Sequence, residues 1–271
     1  MEKKKQHYIP QFYLNYFTDP LIPIMYAPYV WVYDRTDKSI KKKSPKNIAY
    51  ENGYNNIMDK DGNVSSIVED QFQEIEDNTS KIYRKIIKLK YISRSERLTL
   101  AKFVFSMLER VPRFRAMCKF AIESGYADKF MNEDDNLENK SSKLMMDSVI
   151  RATHGVSHLL LRMDWSLLIA PNGANFITSD NPVVVRNPKE VNLLMCGISS
   201  SPEVIVTFPL TSKICLFGSW GRYRSVVEKI SVGEVEHINL ETFIYSNRYL
   251  FSSSQYFQKE ILDLNNLING S

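Results

Sequence analysis

The sequence predicts an α+β fold: a helical middle packed on a mainly antiparallel β-sheet, with an N-terminal β-hairpin able to join that sheet. Three observations carry this expectation. Val68, Phe72, Ile75, Thr79, Ile82, Ile86 and Leu89 recur at alternating intervals of four and three, the period of one helix face. After Asp164 the chain breaks into short β-rich runs divided by Pro, Gly, Asn and Ser, with no helical stretch between them, which suits antiparallel pairing. Near the N-terminus, Ile24 to Asp34 reads IMYAPYVWVYD and is followed by the turn tract TDKS.

Taken in order, the elements start with an aromatic-rich opening, where Tyr8, Phe12, Tyr13, Tyr16 and Phe17 have the spacing of an amphipathic core helix turn. The strand over 24–34 then returns from Ile40, and D-K-D-G-N at 59–63 makes a tight turn. The long helix from Val68 is followed by a second from about Ser95, carrying Leu98, Ala101, Val104, Phe105, Leu108 and Val111, which Pro112 ends or kinks. The acidic stretch 125–143 has few large apolar residues and reads as a loop. A third helix is expected over 142–163. Five strand-like runs follow: DWSLLIA, NFITS, PVVVR, VIVTFPL and KICLFGSW. The tail from Val235 to Phe251 reads as helical and then extended, and Phe257 to Ile268 as a final helix. The whole is read as one α+β domain over 1–271. Its N-terminal segment and hairpin span 1–65, a helical region 66–163, and a mainly β region with C-terminal helices 164–271.

Composition narrows the function classes. The 271 residues are 44% hydrophobic and 24% charged, which excludes disorder and a disulfide-stapled mini-protein. The net charge of +4 is too mild to argue for nucleic acid by itself, but it is unevenly placed. Residues 1–50 hold nine basic residues against four acidic ones, and 123–147 hold seven acidic residues against three Lys. Lys3, Lys4 and Lys5 form one cluster, and Lys38, Lys41, Lys42, Lys43 and Lys46 another. Such a region can steer an anionic partner such as nucleic acid, or can simply protect a hairpin edge from aggregation. Cys118, Cys196 and Cys215 are widely separated, which fits a reducing compartment. No signal-peptide core and no apolar run of about 18 residues is seen, so a cytoplasmic protein with no membrane partner is expected.

Five segments together resemble a known family. They are QHYIPQFYLNYF with the strand WVYD, then VEDQFQEIE, RVPRFR, NFITSDNPVVV, and finally TFPLTSKICLF with NLETFIYSNRYLF. In this order and over nearly the whole chain, they are similar to the bacterial family catalogued as domain of unknown function 4238. Ser246-Asn247 departs from the family pattern, where a small apolar residue is common. The resemblance implies membership and one architecture, but no reaction or cofactor.

The residue types that could carry chemistry are few. His7 titrates near neutral pH and can act as acid, base or ligand, or can be a buried histidine holding the N-terminal segment. Glu69 and Glu76 lie on one flank of the long helix, about 10 Å apart, too far to share one ion without help. Arg110 and Arg113 bracket Pro112 and can fork a phosphate, or can pair with those glutamates across two helices. Asp180, in T-S-D-N-P, is either a rigid strand corner or a presented carboxylate. His154 and His158 have an i, i+4 relation, but Gly155 stands where a zinc protease needs Glu.

Two function classes follow. The first is a phosphodiester hydrolase, a nuclease, with His7, Glu69, Glu76 and Asp180 as a catalytic cluster that could bear a divalent metal such as Mg²⁺, and Arg110 and Arg113 on the phosphate. The second is a non-catalytic nucleic-acid- or protein-binding module whose buried polar network is structural.

Overall fold

The computed structural model describes residues 5–23, 25–58, 63–125, 140, 143–144, 146–147, 157–187, 198, 201–221 and 227–268. In chain order the strands are β1 (Lys5–His7), β2 (Val30–Asp34), β3 (Ser39–Lys43), β4 (Tyr50–Asn52), β5 (Ile57–Met58), β6 (Val64–Ser65) and β7 (Asp164–Ile169). They continue as β8 (Thr178–Ser179), β9 (Val184–Arg186), β10 (Ile205–Thr211), β11 (Ile214–Ser219), β12 (Val227–Lys229) and β13 (Tyr249–Ser252). The helices are α1 (Gln11–Leu14), α2 (Ile67–Leu89), α3 (Arg94–Glu109), α4 (Pro112–Glu123), α5 (Ser157–Arg162), α6 (Val232–Tyr245) and α7 (Lys259–Ile268). The architecture is α+β with mostly antiparallel pairing, as the strand-rich second half predicts. Contacts divide the chain into two compact units, each assembled from three separate segments.

The first unit takes Met1–Tyr8, Tyr50–Met163 and Val185–Val204. Its main body is α2 against α3. The predicted seam of α2 is buried at Val68, Phe72, Ile75, Thr79 and Ile86, while Tyr83 takes the core place expected of Ile82. Helix α3 starts at Arg94, within a residue of the expected Ser95, where Ser93 and Glu96 form a reciprocal cap. Val111 is extended and Pro112 follows at the first position of α4. Proline forces its predecessor out of the helical region and fits a helix start, so it both ends α3 and opens α4. Strand β1 pairs antiparallel with β4, His7 opposite Tyr50. Of the helix expected over 142–163, α5 is described and most of the remainder lies outside the described residues, as do most of the 125–143 stretch and His154.

The second unit takes Ile9–Ala49, Asp164–Val184 and Ile205–Ser271. Strands β10, β11, β7 and β12 lie side by side, antiparallel except for β12 on β7. A further sheet has the order β3-β2-β13-β8, so the N-terminal hairpin does join strands from the second half of the chain. The strand expected over 24–34 begins only at Val30. Pro28, inside that stretch, lacks the N–H a ladder requires, and Met25 to Tyr29 lie outside any strand. Helix α6 buries Val235 and Ile238 with Leu168, Phe176 and Cys215, and α7 buries Ile261 with Tyr33, Phe243 and Leu250. Of the opening aromatics Tyr8, Tyr13 and Phe17 are buried and Phe12 and Tyr16 half-buried, and Tyr13 donates to Pro209 O and shares a hydrogen bond with Thr178 Oγ1, both at 2.7 Å.

Candidate functional site

The polar residues singled out in the sequence fall into two networks, one in each unit. In the first unit α2 carries Glu69, Phe72 and Glu76 at helical spacing along the face that meets α3. Arg110 is the C-cap of α3, one residue before the chain breaks for Pro112, and its side chain is only 1% exposed. One terminal nitrogen, Nη1, donates to Glu76 Oε1 at 2.5 Å and the other, Nη2, donates to the backbone carbonyl of His7. The guanidinium also lies over the Phe72 ring, 5.0 Å from its centroid. Arg110 therefore ties α3 to α2 and both helices to β1.

Strand alternation decides which side chain of the N-terminal segment faces the carboxylates. Gln6 is fully buried. Its Oε1 accepts from Asn55 N–H at 2.5 Å and its Nε2 donates to Asn56 Oδ1 at 2.7 Å. Asn55 Nδ2 in turn donates to Glu69 Oε2 at 2.7 Å. Successive side chains of a strand point to opposite faces, and the His7 ring packs on Tyr50, its cross-strand neighbour, with centroids 5.3 Å apart. The structure brings Glu76, Arg110 and the His7 backbone together, and joins Glu69 to Gln6 through Asn55. Arg113 is exposed on α4, whereas Arg115 donates to Tyr54 O and lies 3.5 Å from the centroid of its ring.

Burial sets the electrostatics. It pushes the Glu76 carboxyl above its ordinary value, against the lowering effect of Arg110. Burial raises the Tyr54 phenol and lowers Arg115. Arg110 Nε is buried with no hydrogen-bond partner among the described residues. Both terminal nitrogens being engaged, Nε is the part of the fork left over for another acceptor. Among the described residues, no three His, Cys, Asp or Glu side chains are grouped so as to hold a metal ion. Gln6 and Asn55 belong to this polar region and are not found by sequence reasoning. Amides and carboxylates there look like ordinary surface residues. Only the alternation of the short strand KQH, with Gln6 inward, could have pointed to one of them.

Asp180 lies in the second unit. It follows β8 and is 1% exposed. Its Oδ1 accepts from Asn247 N–H at 2.8 Å, and its Oδ2 from Arg248 N–H at 2.7 Å and Tyr249 N–H at 2.9 Å. Asn181 Nδ2 donates to Tyr245 O, and Ser179 Oγ accepts from Asn181 N–H. The T-S-D-N segment thus clasps the turn between α6 and β13. Burial raises the Asp180 carboxyl, opposed by the three N–H donors and the nearby Arg35 charge. Arg35 itself donates to the carbonyls of Phe243 and Ser246 at that same turn, and Arg248 grips Asp34 through both Nε and Nη2. The two segments TSDNP and YSNRY, remote in sequence, are partners in one clasp.

Comparison with curated proteins and comparison with solved structures each return no match. The family model described as "Protein of unknown function (DUF4238)" matches residues 5–256, a span that takes in β1, both polar networks and the strands that carry them, and the chain belongs to that family.

Proposed function

We propose that the chain is a non-catalytic binding module whose buried polar networks fix the backbone and whose partner is anionic. One observation carries the reading: the hydrogen bonds described for Glu69, Glu76, Asp180 and the two terminal nitrogens of Arg110 go to the chain itself. Glu69 is held by Asn55, Glu76 by Arg110, both terminal nitrogens of Arg110 by Glu76 and the His7 carbonyl, and Asp180 by three backbone N–H groups. A carboxylate whose two oxygens are taken up by backbone donors, as those of Asp180 are, fixes a turn and has few lone pairs open to a substrate. Among the described residues a basic surface is offered by the hairpin, where Lys41, Lys42, Lys43 and Lys46 are exposed on and after the edge strand β3.

The rival reading, a phosphodiester hydrolase, has one observation in its favour. Glu76 has a raised carboxyl beside an arginine, which is the form of a proton donor next to a phosphate fork. The two are separated by incubating RNA, single-stranded DNA and duplex DNA with the protein in Mg²⁺, Mn²⁺ or EDTA. The binding module cleaves none of them. Metal-dependent cleavage that disappears in a folded Glu76→Gln variant would overturn it in favour of the hydrolase.

A further inference from the structure

The loop before β2 has the composition of a core segment and the exposure of a surface one. Residues 19–29 read DPLIPIMYAPY. Leu21 is 86%, Met25 95% and Tyr26 69% exposed. The loop is nonetheless built at its base. Asp19 N–H donates to Tyr29 O at 3.0 Å, and the Asp19 carboxylate accepts from Leu21 N–H at 2.9 Å, Trp31 Nε1 at 3.0 Å and the Tyr29 hydroxyl at 3.2 Å. Tyr26 N–H closes a turn on Pro23 O at 2.9 Å. Three prolines further restrict the segment, which lowers the entropy lost when it engages a partner.

The strand register places charge beside this apolar tip. Lys43 is opposite Val30 and Lys42 opposite Trp31, so both stand at the end of the hairpin where the loop enters β2. The Lys42 ammonium is 4.8 Å from the ring centroids of both Tyr29 and Trp31, and Lys46 follows, exposed, in the next turn. Lys41 is drawn the other way, into an ion pair with Asp37 near the hairpin turn. An apolar projection with a lysine collar is complementary to a surface that is apolar within and anionic at its face.

We propose that this loop docks on an anionic lipid bilayer. Leu21, Met25 and Tyr26 enter the boundary between headgroups and acyl chains, and Lys42, Lys43 and Lys46 meet the headgroup anions. The inference rests on the binding-module reading and names its partner. Nucleic acid would satisfy the lysines, but it offers nothing to a leucine and a methionine held in water beside them. No helix among the described residues is long and apolar enough to cross a membrane, and interfacial docking needs none.

The test is co-sedimentation of the full chain with phosphatidylcholine vesicles, with and without about one-third phosphatidylserine. Wild type pellets with the anionic vesicles and stays in solution with the neutral ones. Leu21→Ser/Met25→Ser, both at exposed positions, abolishes pelleting while the melting curve is unchanged. Lys43→Ala/Lys46→Ala weakens binding roughly tenfold or more, about fivefold for each lysine, and salt weakens the wild type in the same direction. Wild type left in solution by anionic vesicles, or equal pelleting of Leu21→Ser/Met25→Ser, overturns the proposal. A gel shift of single-stranded DNA that this apolar double variant retains, with no vesicle binding, assigns the lysines to nucleic acid and also overturns it. Cleavage in the metal-dependent assay overturns only the non-catalytic reading, so the two failures are distinguishable.

Discussion

Asp180 and Arg110 show what a buried charge does when its partners belong to the same chain. The Asp180 carboxylate accepts three backbone N–H groups, and its removal leaves those part-buried donors without their acceptor. Each orphaned donor costs about 1–3 kcal/mol, so Asp180→Ala should lose about 3 kcal/mol or more of stability in urea unfolding. Asp180→Asn keeps one acceptor oxygen but turns an amide N–H₂ toward an N–H, and should lose about 1–3 kcal/mol. Arg110 and Glu76 give the complementary prediction. Removing either charge alone strands the other in the interior, so Arg110→Met should destabilise by about 3–5 kcal/mol, whereas Arg110→Met/Glu76→Leu should cost clearly less. A double-mutant cycle of unfolding free energies measures the difference, and a double-variant loss equal to the sum of the two single losses would show that the pair is not coupled. The residues of the helical network were partly legible in the sequence, because Glu76 and Arg110 occur at spacings that put them on facing helices. Asn55 was not, since it lies in a turn with no periodic pattern, and for Gln6 the only signal was the alternation of a three-residue strand. The Asp180 clasp was legible as a turn, but its partners lie 67 to 69 residues further along the chain, beyond any local signal.

Helix ends govern two further expectations at the level of elements. Glu96 caps α3 reciprocally with Ser93 and receives Lys85 Nζ at 2.7 Å. The Lys85 and Ser93 hydrogen bonds hold its carboxyl down at about 2. An acid lowered on folding stabilises the native state fully above its unfolded value, near 4.5, and that contribution is lost as pH falls toward about 2. Wild type should therefore lose more stability than Glu96→Gln between those two pH values, as read by thermal melts across the range. At the other end of the preceding helix, Lys90 closes α2 in the left-handed conformation, with φ 51°. Glycine adopts that conformation without the Cβ clash, so Lys90→Gly should raise stability by about 0.5–1 kcal/mol in chemical denaturation. A lower stability would mean that the lysine side chain contributes more than the strain it causes. Most of α2, α3, α6 and α7 was visible in apolar spacing and cap residues. The start of β2 was misplaced because aromatic and β-branched residues outweighed Pro28 among them, and a proline limits where a ladder can form.

At the scale of the whole molecule, the order of segments matters more than any one contact. The second unit takes its hairpin from residues 9–49 and its remaining strands from beyond residue 164. Tyr33 of β2 shares a core cluster with Leu250, Phe257 and Ile261. A fragment covering 164–271 should consequently fail to show a cooperative thermal transition, and adding a 9–49 peptide should restore one. A sharp transition in the fragment alone would show that the hairpin is dispensable to that core. The same order has a consequence during translation. The first unit has all of its chain once Val204 has left the ribosome, while the second still lacks Ile205–Ser271. Through that interval β2 has been synthesised but β13, its antiparallel neighbour, has not. A nascent chain stalled there presents Val30, Val32 and Tyr33 on a strand edge with no native partner, and that is where a ribosome-associated chaperone would be expected to bind.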